Sequence, residues 1–256
     1  MSTTAKNSLN RYLQTYPQGA YRLHAHHYLS QIAQQQNDEE ALLQHANALL
    51  EYPDNSYSEE ALLARAQICY NRQQFAQALA DYKRLQTKAS TAATRQQAML
   101  GTARSAAAVG DDVEVINAAT PLLDESKLLP EVETEARYLR AKAYLSHRAN
   151  DRARADLQSL AQDTRTPQGA EANYLLGQLL LDEGNVTAAE QEVLRFIDQS
   201  TPHAYWLARG FILLADIYAK TDRKLEAREY LLSLQQNYQA NDDIASMIAS
   251  RLNELK

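Results

Sequence analysis

Apolar and small residues return along this chain with helical spacing, and the helical segments themselves return every 36 to 38 residues. Ala66, Ala103, Ala141, Gly177 and Ala215 mark the period. Twelve positions after each marker stands another small or β-branched residue: Ala78, Val115, Ala153, Ala189 and Ala227. A fixed small-to-small distance inside a drifting sequence is what two antiparallel helices need where their backbones cross closely. The pattern predicts helix-pair repeats at 21–53, 57–88, 92–124, 131–162, 168–199 and 203–238. The breaks inside the pairs fall near 36–38, 73–74, 110–111, 148–149, 184–185 and 221–223. The fold class is all-α, a single solenoid running over 1–256 in which each repeat buries its face against its neighbours.

Turn chemistry supports these boundaries. Thr166-Pro167 and Thr201-Pro202 read as a capping hydroxyl followed by proline at the first helical position, and Pro17, Pro53 and Pro130 also stand between repeats. Pro121 falls inside the second helix of the third pair, where it is expected to kink or shorten the last turn. Gly110 and Gly184 occupy equivalent turns, while Gly101 and Gly177 lie near the close crossing. Segment 1–17 aligns residue for residue with the end of the first full repeat: Ala5, Leu9, Tyr12, Leu13, Tyr16 and Pro17 match Ala41, His45, Ala48, Leu49, Tyr52 and Pro53. It reads as a second helix whose first helix is missing, which implies a piece of a longer array; a natural N-terminal capping helix, which would carry a more polar outer face, is the alternative. After the last pair, Asn241-Asp242-Asp243 opens an amphipathic helix at 242–255 carrying Ile244, Met247, Ile248, Leu252 and Leu255. This is the expected cap, and the C-terminus is expected to be the natural one.

Composition narrows the function. Seven glycines and six prolines in 256 residues leave little material for the turns of a β-protein, and 45% apolar residues suffice for a core spread along an axis. A formal charge of −6 argues against nucleic acid and favours a protein or peptide partner. The lone Cys69 offers neither a disulfide nor a CxxC site and reads as a buried small hydrophobe. No apolar run approaches the ~20 residues of a membrane span, so the segment is not expected to insert into a bilayer. The first thirteen residues carry no secretory signal. Motifs for phosphate cradling, metallohydrolysis and nucleophilic attack are missing, which gives the expectation of a non-enzyme without cofactors.

Ala61 to Leu85 carries Ala66, Tyr70, Phe75, Ala78 and Tyr82 in an order that resembles the tetratricopeptide repeat, with Ala141 to Leu160 and Gly177 to Phe196 close behind. The joints YPQGAY at Tyr16 to Tyr21 and YPDNSY at Tyr52 to Tyr57 are similar to those of envelope-associated proteins of this superfamily in Gram-negative bacteria. Thr201 to Lys220 looks like the last repeat of the large exported members. The resemblance implies a right-handed superhelix with a concave face lined by first helices. It also implies a non-enzymatic interaction scaffold within a larger periplasmic or outer-membrane-associated protein, with a cytoplasmic home as the alternative. The basic and asparagine clamp that some members use for a peptide carboxylate is not reproduced at Leu63 and Gln67, Leu100 and Arg104, or Tyr138 and Lys142.

On that concave face the resemblance places Glu60, Gln67, Tyr70, Arg104, Glu135, Tyr138, Lys142, Glu171, Tyr174 and Gln178. Tyrosines among amides and mixed charges suit a peptide, because a phenol offers apolar area with a polar edge; they equally suit plain packing between helices. Trp206 reads as packing. A passive spacer or self-association module is the alternative function. One cluster suggests metal chemistry, His24, His26 and His27 with His45 on the following helix: His24 and His27 share a helix face, and His45 would approach them across the pair to form a surface transition-metal site. A solvated histidine face is the simpler reading.

Overall fold

The computed structural model describes residues 2–256, and every regular element among them is a helix. Helix α1 (Ser2–Thr15) is followed by the pairs α2 (Arg22–Gln35) with α3 (Glu39–Leu50), α4 (Ser58–Asn71) with α5 (Phe75–Lys88), and α6 (Ala92–Val109) with α7 (Asp112–Leu123). Then come α8 (Pro130–Ser146) with α9 (Asn150–Leu160), α10 (Pro167–Asp182) with α11 (Val186–Asp198), and α12 (Ala204–Lys220) with α13 (Lys224–Asn237). Helix α14 (Ile244–Glu254) closes the order. The helices gather into two compact units, Met1–Leu128 and Leu129–Lys256.

The turn inside every pair has one construction. A residue with positive φ follows the first helix: Asn37, Gln73, Gly110, Arg148, Gly184 and Asp222. The next N–H then reaches back to a carbonyl of the last turn, as in Asp38 N to Ala33 O (2.8 Å), Asp111 N to Ala106 O (2.9 Å) and Ala149 N to Tyr144 O (2.9 Å). This is the Schellman closure, which satisfies carbonyls that the helix leaves open. Only two of the six sites use glycine, so the other four hold a side chain in the left-handed region at a cost of roughly 1 kcal/mol each.

Helix starts follow the sequence unevenly. Asp38, Thr91, Asp111 and Thr166 each accept a backbone N–H two or three residues into the helix they precede. Thr201 does not act as a cap: α12 begins two residues after Pro202, and the Thr201 hydroxyl donates to Thr164 O (2.6 Å), tying one inter-repeat joint to the previous one. Pro121 does not shorten its helix, because α7 continues to Leu123. The donor that Pro121 lacks is one bond near the end of a helix, where the ladder is about to stop in any case.

All ten marker positions are buried, Ala66, Ala78, Ala103, Val115, Ala141, Ala153, Gly177, Ala189, Ala215 and Ala227 among them. The reason is visible at the glycines. A Cβ on Gly101 would fall 2.5 Å from the Tyr82 ring, and one on Gly177 would fall 2.7 Å from Val193 Cγ2. In the first unit the core gathers Leu62, Ala66, Cys69, Ala78, Tyr82 and Leu85. In the second it is larger, built around Val193, Phe196, Ile212, Ile217 and Leu231, and α14 covers it by inserting Ile244 and Ile248. No helix among the described residues is long and apolar enough to cross a membrane.

Candidate peptide-binding face

With Ser30 in the marker's place in α2, three contacts join the residue three positions before one marker to the residue six positions before the marker of the next repeat. The first rung is His27 with Glu60, Nδ1 to Oε2 3.0 Å, a close approach without hydrogen-bond alignment. The second is Tyr138 with Glu171, the phenol donating to Oε2 at 2.8 Å. The third is Tyr174 with Arg209, the guanidinium Nη2 donating to the phenol oxygen at 2.7 Å. In the second unit α10 lies against both α8 and α12, and these positions face the neighbouring helix. Glu60, Tyr138, Glu171 and Tyr174 are among the residues that the resemblance assigns to the concave face.

In the second unit the face is a polar network. Glu171, 7% exposed, receives both the Tyr138 hydroxyl and Lys142 Nζ (2.7 Å). Burial and the neighbouring Glu171 carboxylate push the Tyr138 phenol well above its ordinary pKa, so it stays protonated and remains the donor. Tyr174, also buried, donates to Gln178 Oε1 (3.3 Å), and Gln178 Nε2 donates to Asp182 (2.8 Å). Arg209 lies over the Tyr174 ring at 4.7 Å and donates from Nη1 to Tyr205 OH (2.9 Å). Trp206 packs against Tyr174 and Tyr205, with ring centroids 5.6 and 5.0 Å away, and joins the edge of the core.

In the first unit the face is looser. Gln67 is exposed, Glu60 is exposed beside His27, and Tyr70 is half-buried with its ring edge-on to Phe75 at 5.2 Å. Arg104 is half-buried, as is Glu135 in the second unit. A small pocket of about 80 Å³ opens among Ser30, Gln34, Leu42, Glu60, Leu63 and Gln67, room for a few waters.

The histidines do not assemble as the metal reading requires. His45 points at His26, with the two Nδ1 atoms 3.0 Å apart, and not at His24 or His27. Successive helical residues are turned by about 100°, so His27 faces α4 instead, stacking on Tyr57 at 4.2 Å, and His24 meets the edge of the same ring at 5.6 Å. Among the described residues no group of three or more His, Cys, Asp or Glu is placed to hold a metal ion. Burial lowers both members of the His26–His45 pair, His45 to about 4.

One contributor escapes the sequence reading and one is misassigned. His26 belongs to the histidine cluster but not to the set expected to meet His45, and Arg209 is not among the expected residues although the position six before Ala215 is the one that Glu60 and Glu171 occupy in their repeats. Strict application of that register would have found Arg209.

No protein-family model matches the chain, and no curated protein matches it. Solved structures do. YrrB, described as a TPR protein with an unusual peptide-binding site, is similar at 19% identity over 76% of this chain and 91% of its own, with a TM-score of 0.56. BtubC from P. vanneervenii matches at 14% identity over 88% and 95%, with a TM-score of 0.55. MamA matches at 15% over 74% and 95%, with a TM-score of 0.53. At these identities the likeness is one of fold.

Proposed function

On the premise that this chain has the tetratricopeptide-repeat fold, we propose that it is a non-catalytic interaction scaffold that binds a protein or peptide along the face of its first helices. The observation that carries the reading is the second unit's row of Tyr138, Lys142, Glu171, Tyr174 and Arg209, polar and aromatic groups lined up at the repeat spacing on one edge. An extended or helical peptide meets such a row with its own backbone and side-chain polar groups while covering the phenol rings. The charge of −6 suits a polypeptide better than a nucleic acid. The YPQGAY and YPDNSY joints support a place within a larger envelope protein.

The test is selection of peptides from a display library on the immobilised chain, with the recovered sequences remeasured by fluorescence anisotropy. A chain carrying Lys142→Gln and Gln178→Ala is the comparison. Glutamine at 142 keeps a donor for Glu171, so the fold is spared. Binding at least ten-fold weaker in the variant is expected. Recovery of no peptide above an unrelated helical control, with concentration-dependent oligomers in sedimentation, would replace the reading with that of a self-associating spacer.

A further inference from the structure

The third rung departs from the others in the sign of its charge. Glu171 on the second rung has a cation, Lys142, one turn beyond Tyr138. The residue that would answer Arg209 in the same register is Gln178, a neutral amide already engaged with Tyr174 and Asp182. Elsewhere in this unit, arginines at helix seams meet carboxylates: Arg140 with Asp156, Arg154 with Glu183, Arg223 with Glu190 and Arg251 with Asp216. The polar contacts of Arg209 are two phenol oxygens, and among the described residues no carboxylate pairs with it.

A guanidinium has five N–H donors in a planar fork. Two of those of Arg209 go to Tyr174 and Tyr205, and the buried Nε has no partner. One N–H on each terminal nitrogen is left as a donor for an anion, and carboxylates are the acceptors that pair with arginine most strongly. The side chain is partly exposed and stacked on Tyr174, so the fork is held in place before any ligand arrives. A half-buried cation without a counterion is costly to keep, and a bound anion would relieve that cost.

We propose that Arg209, held between Tyr174 and Tyr205 and flanked by Trp206, is a receptor for a carboxylate of the bound polypeptide, either an acidic side chain or a chain terminus. This rests on the peptide-face reading above. Asp182, engaged by Gln178, and Asp243, 3.4 Å from the Tyr205 hydroxyl, stand just outside the site. Their charge disfavours a dianion such as a phosphate monoester and leaves a monoanionic carboxylate as the fitting ligand.

The chain's single tryptophan lies at the site and serves as the reporter. Trp206 emission and the indole N–H resonance are followed while the whole chain is titrated with three acetylated alanine tetrapeptides. One carries an internal glutamate and an amidated end, one carries glutamine and an amidated end, and one carries glutamine and a free C-terminal carboxylate. The expected result is a saturable response at least ten-fold stronger for one of the carboxylate peptides than for the amidated glutamine peptide; which of the two responds identifies the source. The response is lost in Arg209→Gln and weakened in Arg209→Lys, which keeps the charge but not the fork, with helical circular dichroism unchanged in both. An equal response from the amidated glutamine peptide, no saturable response from either carboxylate, or a response that survives in Arg209→Gln would overturn the assignment. If display selection recovers peptides while these probes fail, the face reading stands and the Arg209 assignment falls; if the probes bind while selection yields nothing, the carboxylate site at Arg209 stands and the wider row from Tyr138 to Glu171 loses its part in peptide binding.

Discussion

In the first unit Arg65 of α4 reaches across its pair to Asp81 of α5 with two hydrogen bonds of 2.7 Å, and in the second Arg140 of α8 reaches Asp156 of α9 with two of 2.8 Å. Both aspartates are almost fully buried, and both spacings are sixteen residues. The surroundings differ. Asp81 has one further donor, the neutral Gln77, whereas Asp156 has a second cation, Arg137, at 3.6 Å. The α2–α3 pair sets His26 against His45 in place of an ion pair, and in the α6–α7 pair the two ion-pair positions hold the small, buried Thr102 and Ala118. The comparison teaches that close crossing is set by the small residues and tolerates several chemistries at the seam, each with its own conditions for stability.

The largest expected effect comes from removing the arginine. Arg65→Ala leaves Asp81 buried with one neutral donor, and a loss of about 3–4 kcal/mol is expected. Arg140→Ala leaves Asp156 with Arg137 nearby, and about half that loss is expected. Urea unfolding gives the totals, and hydrogen exchange of α4–α5 and α8–α9 places them. Equal losses in the two variants would show that the second cation at Asp156 does nothing for stability.

Acid separates the units next. The folded pKa of His45 is lowered to about 4, by burial first and then by His26 and Lys6, against a smaller opposing pull from Asp38. His26 is lowered in the same direction by burial and Arg22, with Glu51 opposing. Between the unfolded value near 6.5 and about 4 the unfolded chain therefore binds protons that the folded chain refuses, and stability falls as pH drops through that window. A loss on the order of 2 kcal/mol by pH 4.5 is expected in the α2–α3 region. Exchange rates at pH 7.5 and 5 in the native chain and in His45→Gln check it: the native α2–α3 region should lose more protection than the variant after correction for intrinsic exchange, and indistinguishable behaviour would refute the histidine account.

The smallest effects lie in the turns. Gly110 in the first unit and Arg148 in the second hold the same left-handed turn, and no atom lies within 4 Å of where a Cβ on Gly110 would stand. The penalty for a side chain there is purely conformational, so Gly110→Ala should cost about 1 kcal/mol and Arg148→Gly should return a similar amount. Thermal midpoints moving in opposite directions are the signature; a lower midpoint for Arg148→Gly would mean that the arginine side chain contributes more than its backbone strain removes.

Much of the fold was legible because it is written in one dimension. The small residues twelve apart, the turn glycines and the Asp and Thr caps are local signals, and each needs only its own stretch of chain to act. The face was half legible. Tyr138, Lys142 and Tyr174 follow from the repeat register, but Thr201 looked like a cap and serves as a tie to Thr164, and His45 looked like a partner for His24 and His27 and meets His26. Sequence determined that this chain forms antiparallel helix pairs, because helical period and close crossing are properties of the residues along one strand of chain. Tertiary structure alone decided which side chains became rungs and which charge was left unanswered, because a turn of about 100° between neighbouring residues selects the partner, and that partner stands some 33 to 35 positions away on another helix.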